Sequence, residues 1–92
     1  METEFVIRKT RRTPVYNIGV TSRLCGLPVH TLRWVERSGL VSPGRSDGRH
    51  RLFSEEDISV LAEIRALLRQ RVNVSGIRII LRMRAERRRV PR

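Results

Sequence analysis

The sequence is poor in the residues that build disulfide frameworks, metal sites and substrate clefts. Cys25 is the only cysteine among 92 residues, which excludes an internal disulfide and an all-cysteine zinc site within one chain. One tryptophan, one tyrosine and two phenylalanines leave little to line a pocket, and we find no plausible Ser, His and acid trio and no phosphate-loop spacing. We therefore predict no enzymatic activity, no metal and no cofactor.

Long apolar runs are also absent. None approaches the roughly 20 residues of a membrane span, and no apolar signal core follows a basic start. Together with the lone cysteine, this predicts a soluble, cytoplasmic protein with no membrane partner. A length of 92 residues predicts one small domain, near the size where a single core is only marginally stabilising.

Arginine is what the sequence has in excess. The formal net charge is +11, and only Lys9 among the 20 basic residues is a lysine. Such an excess is far beyond what solubility requires and predicts a polyanionic partner. The planar guanidinium fork matches phosphate and the guanine edge, which favours structured recognition. A genomic preference for arginine codons would produce the same bias, so the choice of arginine over lysine carries little weight.

Apolar spacing predicts a mostly helical fold that begins with two short helices. In the first helix, residues recur at helical spacing from Ile18 to Cys25, and Gly26 ends the helix. The second has Pro28 in its first turn and occupies residues 28–38. Two short helices joined by about three residues around a glycine are typical of a helix-turn-helix.

A hairpin and two further helices follow. Residues 41–53 are too rich in Pro, Gly and Ser for a helix, and Asp47-Gly48 is a strong hairpin signal, so this segment is predicted to be a wing. Ser54 and Asp57 have the spacing of a capping box at the start of a third helix. One side of the third helix is predicted to be a buried apolar stripe. A break at residues 73–76 separates this helix from a fourth one, which completes the fold. The stripe consists of Val60, Leu61, Ile64, Leu67 and Leu68.

The fourth helix carries two apolar faces, which implies two neighbours. Ile77, Ile80 and Leu81 face the core, whereas Ile79 and Met83 lie on roughly the opposite side. We expect Ile79 and Met83 to support a weak homodimer or a dimer that forms on DNA. The alternative is two stray apolar residues on a frayed terminal helix.

The ends of the chain are basic. We predict a flexible arm at residues 1–13, a folded domain at 14–88 and a basic tail at 89–92. Arg11 and Arg12 belong to the arm, which either follows phosphates or a minor groove or serves only as a solubilising tail.

The second helix is predicted to have a cationic, aromatic outer face. When successive residues are placed about 100° apart around the helix axis, four of them fall on the outer side, away from Leu32 and Val35. Such a helix fits a major groove, and a wing beside it would reach flanking backbone or minor groove. The predicted DNA-binding residues are His30, Arg33, Trp34 and Arg37 on the helix, Arg45, Arg49, His50 and Arg51 in the wing, and Arg11 and Arg12 in the arm.

Residues 16 to 81 resemble the DNA-binding domain of MerR-family bacterial transcription regulators. The order and spacing of TLR, ERSGL and RLFS carry the resemblance. It is nearest to the heat-shock repressor branch, with similarity to the nitrogen-metabolism repressors. The resemblance implies a MerR-like winged helix-turn-helix, a repressor, and contacts to phosphate and base by Arg33 and Trp34. It also implies that Arg49 and Arg51 brace the wing against the DNA backbone.

The sequence departs from the family pattern in two ways. Trp34-Val35 replaces the usual tyrosine pair, so one phosphate contact by a tyrosine hydroxyl is absent. The family's activators continue into a dimerisation helix and an effector region beyond the point that corresponds to Arg92. We therefore expect no small-molecule effector site within this chain, and the sequence leaves open that it belongs to a longer protein.

Two functions from different classes fit these features. The first is a nucleoid-associated regulator that binds inverted half-sites in double-stranded DNA. The second is an architectural or excisionase-like accessory protein, because such winged helices also lack a sensor. RNA binding is disfavoured, since the deep, narrow groove of A-form RNA does not admit a recognition helix.

Overall fold

Four helices and three short strands make up residues 10–89, the part of the chain that the computed structural model describes. The helices are α1 (Ile18–Cys25), α2 (Val29–Arg37), α3 (Glu55–Arg69) and α4 (Val74–Arg89), and the strands are β1 (Tyr16–Asn17), β2 (Gly44–Arg45) and β3 (Arg51–Phe53). The predicted mostly helical, winged architecture is confirmed. Most of the predicted arm and most of the predicted tail lie outside the described residues.

The helix-turn-helix forms where the local capping signals place it. The Asn17 side chain accepts a hydrogen bond from the Val20 amide at 2.8 Å and begins α1. Gly26 ends the helix in the left-handed conformation, with φ of 81°. Pro28 is the residue before α2 rather than part of its first turn. The turn therefore directs α2 across the core immediately after α1.

The two strands of the wing belong to a three-stranded sheet. β2 and β3 pair antiparallel, and β1 pairs with the other edge of β3, so that the strand order is β1-β3-β2. Tyr16 lies opposite Phe53, which ties the start of α1 to the wing. Sequence reasoning missed β1 because a strand of two residues has no alternation that can be recognised.

In the hairpin turn, the left-handed backbone conformation is adopted by an arginine and not by the glycine. The Arg49 amide donates to the Ser46 carbonyl at 2.8 Å, which closes the turn over Asp47-Gly48. The residue with positive φ is Arg49, at 66°, and not Gly48. A turn followed by one left-handed residue is a common three-residue hairpin connection. An arginine in this position carries a steric cost that glycine would not.

The core lies between α1, α2, β3, α3 and α4. The predicted capping box at the start of α3 is confirmed, with Ser54 and Asp57 exchanging two hydrogen bonds of 3.0 Å. The predicted α3 stripe is correct at its centre, but Val60 and Leu68 are only half-buried. The fully buried apolar side chains are Leu32, Val35, Phe53, Leu61, Ile64 and Ile77.

The fourth helix begins earlier than predicted. Asn73 accepts a hydrogen bond from the Gly76 amide at 2.9 Å, so Gly76 lies in the first turn of α4 rather than in a break. Arg78 reaches from α4 to the Ser38 carbonyl at the end of α2, at 2.8 Å. Ile79 and Met83 are 54% and 55% exposed, as their predicted position opposite the core requires.

Replacing Arg71 with glycine should stabilise the protein. Arg71 follows Gln70, the C-cap of α3, and has φ of 65°. Its amide donates to the Leu68 carbonyl, and the Val72 amide donates to the Leu67 carbonyl. This is the arrangement that favours glycine, since a side chain there costs about 1 to 2 kcal/mol. After the extra flexibility of glycine in the unfolded chain, Arg71→Gly should raise the free energy of unfolding by about 0.5 to 1 kcal/mol in urea titrations.

Arg69→Gly is the matched control for that experiment. It also removes one positive charge, but from a residue that lies within the last turn of α3. Glycine there should lower the free energy of unfolding by about 1 kcal/mol. Equal effects of the two substitutions would show that the left-handed backbone at Arg71 is not strained.

Candidate nucleic-acid interface

The second helix presents the predicted polar face to solvent. Leu32 and Val35 are fully buried, whereas His30, Arg33 and Arg37 are exposed. The two sets separate because α2 packs one side on the core and has solvent on the other. The structure therefore brings these three cationic or titratable side chains together on one accessible face.

Trp34 occupies the edge of that face. It is half-buried and packs against the core cluster, so only part of its indole is accessible. Its carbonyl accepts a hydrogen bond from the Ser38 hydroxyl at 2.9 Å, which closes the last turn of α2. Trp34 thus has a packing role in addition to any contact that it makes with a ligand.

The four predicted wing residues differ in exposure. Arg45, Arg49 and His50 are exposed, whereas Arg51 is half-buried. The Arg51 guanidinium Nε donates to Glu36 of α2. Arg45 Nη2 donates to the other oxygen of the same carboxylate at 2.5 Å. The wing is therefore attached to the outer side of α2 through one acidic side chain.

Glu36 is a residue of this surface that sequence reasoning missed. It is the only acidic residue of α2, and about 60° separates it from Arg33 around the helix. Its side chain is 17% exposed, and its carboxylate contacts two arginines that lie 9 and 15 residues away in sequence. An isolated acid beside an arginine-rich hairpin was a usable signal, but only the folded chain shows which arginines it contacts.

An open recess lies at the tip of the wing. Its volume is about 570 Å³, and Ser46 and Asp47 line it together with three arginines. Guanidinium groups at such a surface suit anions with several acceptor oxygens, such as phosphates and carboxylates. The three arginines are Arg45, Arg49 and Arg51.

Acidic pH should weaken the attachment of the wing to α2. Burial raises the pKa of Glu36, but the hydrogen bonds and charges of Arg51 and Arg45 outweigh it and hold the pKa below the ordinary 4.5. A carboxylate with a lowered folded-state pKa stabilises the fold fully above the unfolded-state pKa, and this contribution is lost as pH falls through the folded-state pKa.

The difference in unfolding free energy between the wild type and Glu36→Gln should therefore be constant near neutral pH. It should shrink once the pH falls below the ordinary pKa of the carboxyl, because the protonated acid and the amide are then both uncharged. Urea titrations over this range measure it. A difference that is the same at neutral and strongly acidic pH would contradict the assigned role of the ion pairs.

The two arm residues lie against α3. The Glu56 amide donates to the Arg11 carbonyl at 2.8 Å, and the Arg11 guanidinium donates to the Ser59 hydroxyl at 2.9 Å. Arg11 also lies 3.8 Å from Glu55, and Arg12 lies 3.5 Å from Glu56. Both arginines thus contact the first turns of α3, and the structure does not bring them to the outer face of α2.

Residues 10–89 contain neither a metal-binding cluster nor a membrane-spanning helix. Between residues 10 and 89, no three His, Cys, Asp or Glu side chains are grouped so that they could hold a metal ion. Cys25 is buried at 4% exposure and belongs to the core. Within that range, no helix has the length and apolar character needed to cross a membrane.

Comparison with known proteins identifies one matching family and several relatives of this chain. Residues 16–84 match the family described as MerR HTH family regulatory protein. The heat shock protein HspR of Streptomyces coelicolor is 43% identical over 75 residues, which are 80% of this chain and 50% of HspR. The transcriptional regulator GlnR of Bacillus anthracis is 40% identical over 74 residues, which are 80% of this chain and 57% of GlnR. The chain thus spans about half the length of these relatives.

A solved structure shares the fold. The transcription regulator PbrR691 of Ralstonia metallidurans, crystallised with lead(II), superposes with a TM-score of 0.71 at 29% identity. The match covers 84% of this chain and 60% of that one. With the family match over most of the chain and the two-faced α2 beside a wing, this chain belongs to the MerR family of helix-turn-helix transcriptional regulators.

Proposed function

We propose that the chain is a sequence-specific regulator that binds double-stranded DNA. In this proposal α2, predicted as the helix of residues 28–38, reads the major groove. The wing of residues 41–53 contacts the flanking backbone or minor groove. The observation that carries the proposal is the joint presentation of the two elements. Arg33 and Arg37 are exposed on α2, and Glu36 of the same helix holds the wing beside them.

The context of regulation is proposed from the names of the relatives, and its sign from the resemblance to the heat-shock repressor branch. The name of the HspR relative connects it with heat shock, and the GlnR relative is named as a transcriptional regulator. We extend these to a repressor in a bacterial heat-shock or stress response. The net charge of +11 supports a cytoplasmic, nucleoid-associated location, because it favours residence on DNA.

Selection of duplexes from a random-sequence library tests this function. The recovered DNA should contain a shared motif, and the motif should occur as inverted half-sites, because a symmetric pair of winged helices reads symmetric DNA. Recovery of phased arrays or bendable steps with no base motif would instead support the architectural or excisionase-like role. Equal recovery of all sequences would contradict both specific roles.

We also propose that Ile79 and Met83 form the contact between two copies on DNA. The two side chains are one helical turn apart on α4 and are both more than half exposed. Exposed arginines such as Arg82 crowd the same helix and oppose pairing in free solution. Bound DNA would offset that repulsion and raise the effective concentration of the second copy.

Replacing Ile79 with Asn and Met83 with Gln should abolish cooperative binding to a two-half-site duplex while half-site affinity changes less than about threefold. The substitutions add no charge, so the electrostatic attraction to DNA is kept. Leu24→Gln is the matched control, because Leu24 is 56% exposed on α1. An unchanged cooperative titration curve in the α4 variant would exclude this helix as the contact.

A further inference from the structure

Two arginines face each other across the wing hairpin. Arg45 of β2 is the direct cross-strand partner of Arg51 of β3. Like charges at directly opposed positions destabilise a strand pair. The Glu36 carboxylate relieves this repulsion, because one of its oxygens accepts from Arg45 and the other from Arg51. The hairpin thus depends on an acid supplied by α2.

We propose that Glu36 is a positioning and specificity-determining residue: it fixes the angle of the wing to α2 and withholds two wing arginines from non-specific phosphate binding. The inference rests on the proposed DNA-binding function and deepens it. Glu36 does not need to touch DNA for this role, since it acts through Arg45 and Arg51.

The first consequence concerns geometry. Glu36 lies on the flank of α2 next to Arg33, so the ion pairs hold the wing at a fixed side of the reading face. A wing held in this position before binding loses less conformational entropy when both elements contact one duplex. Without the ion pairs, helix and wing would bind as two loosely joined units.

The second consequence concerns charge. The three side chains Arg45, Arg51 and Glu36 together carry a net charge of +1 instead of +2. Each arginine that contacts a phosphate steepens the dependence of log affinity on log salt by about 0.9, whatever the sequence. Glu36 therefore lowers the sequence-independent attraction, which leaves a larger share of the binding energy to groups that read bases.

The experiment compares Glu36→Gln with the wild type on two DNA probes. One probe is a duplex selected by the wild-type chain from a random library, and the other is a scrambled duplex of the same composition. Glutamine keeps the size of the side chain and one acceptor but removes the charge. We expect affinity for the scrambled duplex to rise about threefold or more, with a salt slope steeper by about 0.9 to 1.8. The preference for the selected duplex should fall about tenfold.

Glu63→Gln is the matched control. Glu63 of α3 also contacts two arginines, Arg84 at 3.8 Å and Arg88 at 3.4 Å, but both belong to α4. The substitution makes the same change in net charge away from the wing. It should leave the preference for the selected duplex within about twofold of the wild type, because it frees no wing arginine.

A variant without the two wing arginines distinguishes the role of Glu36 from a general loss of structure. In a chain that already carries Arg45→Gln and Arg51→Gln, adding Glu36→Gln should change neither the salt slope nor the sequence preference. Amide hydrogen exchange in the free protein is a readout independent of DNA. Residues 44–45 and 51–53 should exchange faster in Glu36→Gln, while the core helices keep their protection.

Three results would overturn the inference. The first is that Glu36→Gln has the same salt slope and the same preference for the selected duplex as Glu63→Gln. The second is that the effect of Glu36→Gln persists in the chain without Arg45 and Arg51. The third is that amide hydrogen exchange in the wing stays unchanged. Failure of the proposed function has a different signature, which is a wild type that does not prefer its selected duplex. The salt slope on the scrambled duplex and the wing exchange still decide the role of Glu36 in that case.

Discussion

Binding to duplex DNA is expected to weaken steeply as salt is added. Arg37 and Arg49 are exposed on α2 and the wing, and two such phosphate contacts give a slope of log affinity against log salt of about −1.8. Between ~50 mM and ~200 mM salt, affinity then falls roughly 12-fold. Arg45 and Arg51 are not counted, because both are bonded to Glu36.

Fluorescence anisotropy titrations of a labelled duplex over this salt range measure the slope. Arg49→Asn should make it shallower by about 0.9, because one phosphate contact is removed while asparagine tolerates the left-handed backbone at this turn. Arg69→Gln on α3 is a control that removes a charge from another helix and should leave the slope nearly unchanged. A nearly flat salt response of the wild type would contradict DNA binding through these arginines.

Loss of Arg33 should have the largest effect of any single change on base reading. An arginine that contacts a guanine edge with two hydrogen bonds contributes about 1 to 3 kcal/mol of discrimination. Arg33→Ala should therefore weaken binding to the selected duplex by about five- to 150-fold and relax the preference at one base pair. Alanine is a good helix former, so α2 should keep its structure.

Repeating the selection with the Arg33→Ala chain and comparing each base position with the wild type measures this effect. Arg49→Asn is the comparison, because loss of a phosphate contact weakens all sequences about equally. Arg51 is less suitable for this purpose, since it is half-buried and bonded to Glu36, so its loss would also alter the wing. A uniform loss of affinity for both variants would mean that Arg33 contacts phosphate only.

Much of the helix-turn-helix was determined by the sequence itself. The stop at Gly26, the capping box of Ser54 and Asp57 and the opposite faces of α2 are all set by residues within a few positions of each other. Such signals depend on the period of the helix and on local hydrogen bonds, so they can be recognised without knowledge of the rest of the chain. The overall fold class followed from them.

Only the tertiary structure decided how the interface is assembled. β1 was invisible because its pairing with β3 joins two residues to a strand more than 30 positions away. The placement of Arg11 on α3 and the attachment of Arg45 and Arg51 to Glu36 likewise join distant segments. Charge alone makes every exposed arginine an equal candidate for DNA contact. Packing distinguishes them, because it determines which guanidinium groups meet a carboxylate of the same chain and which face solvent.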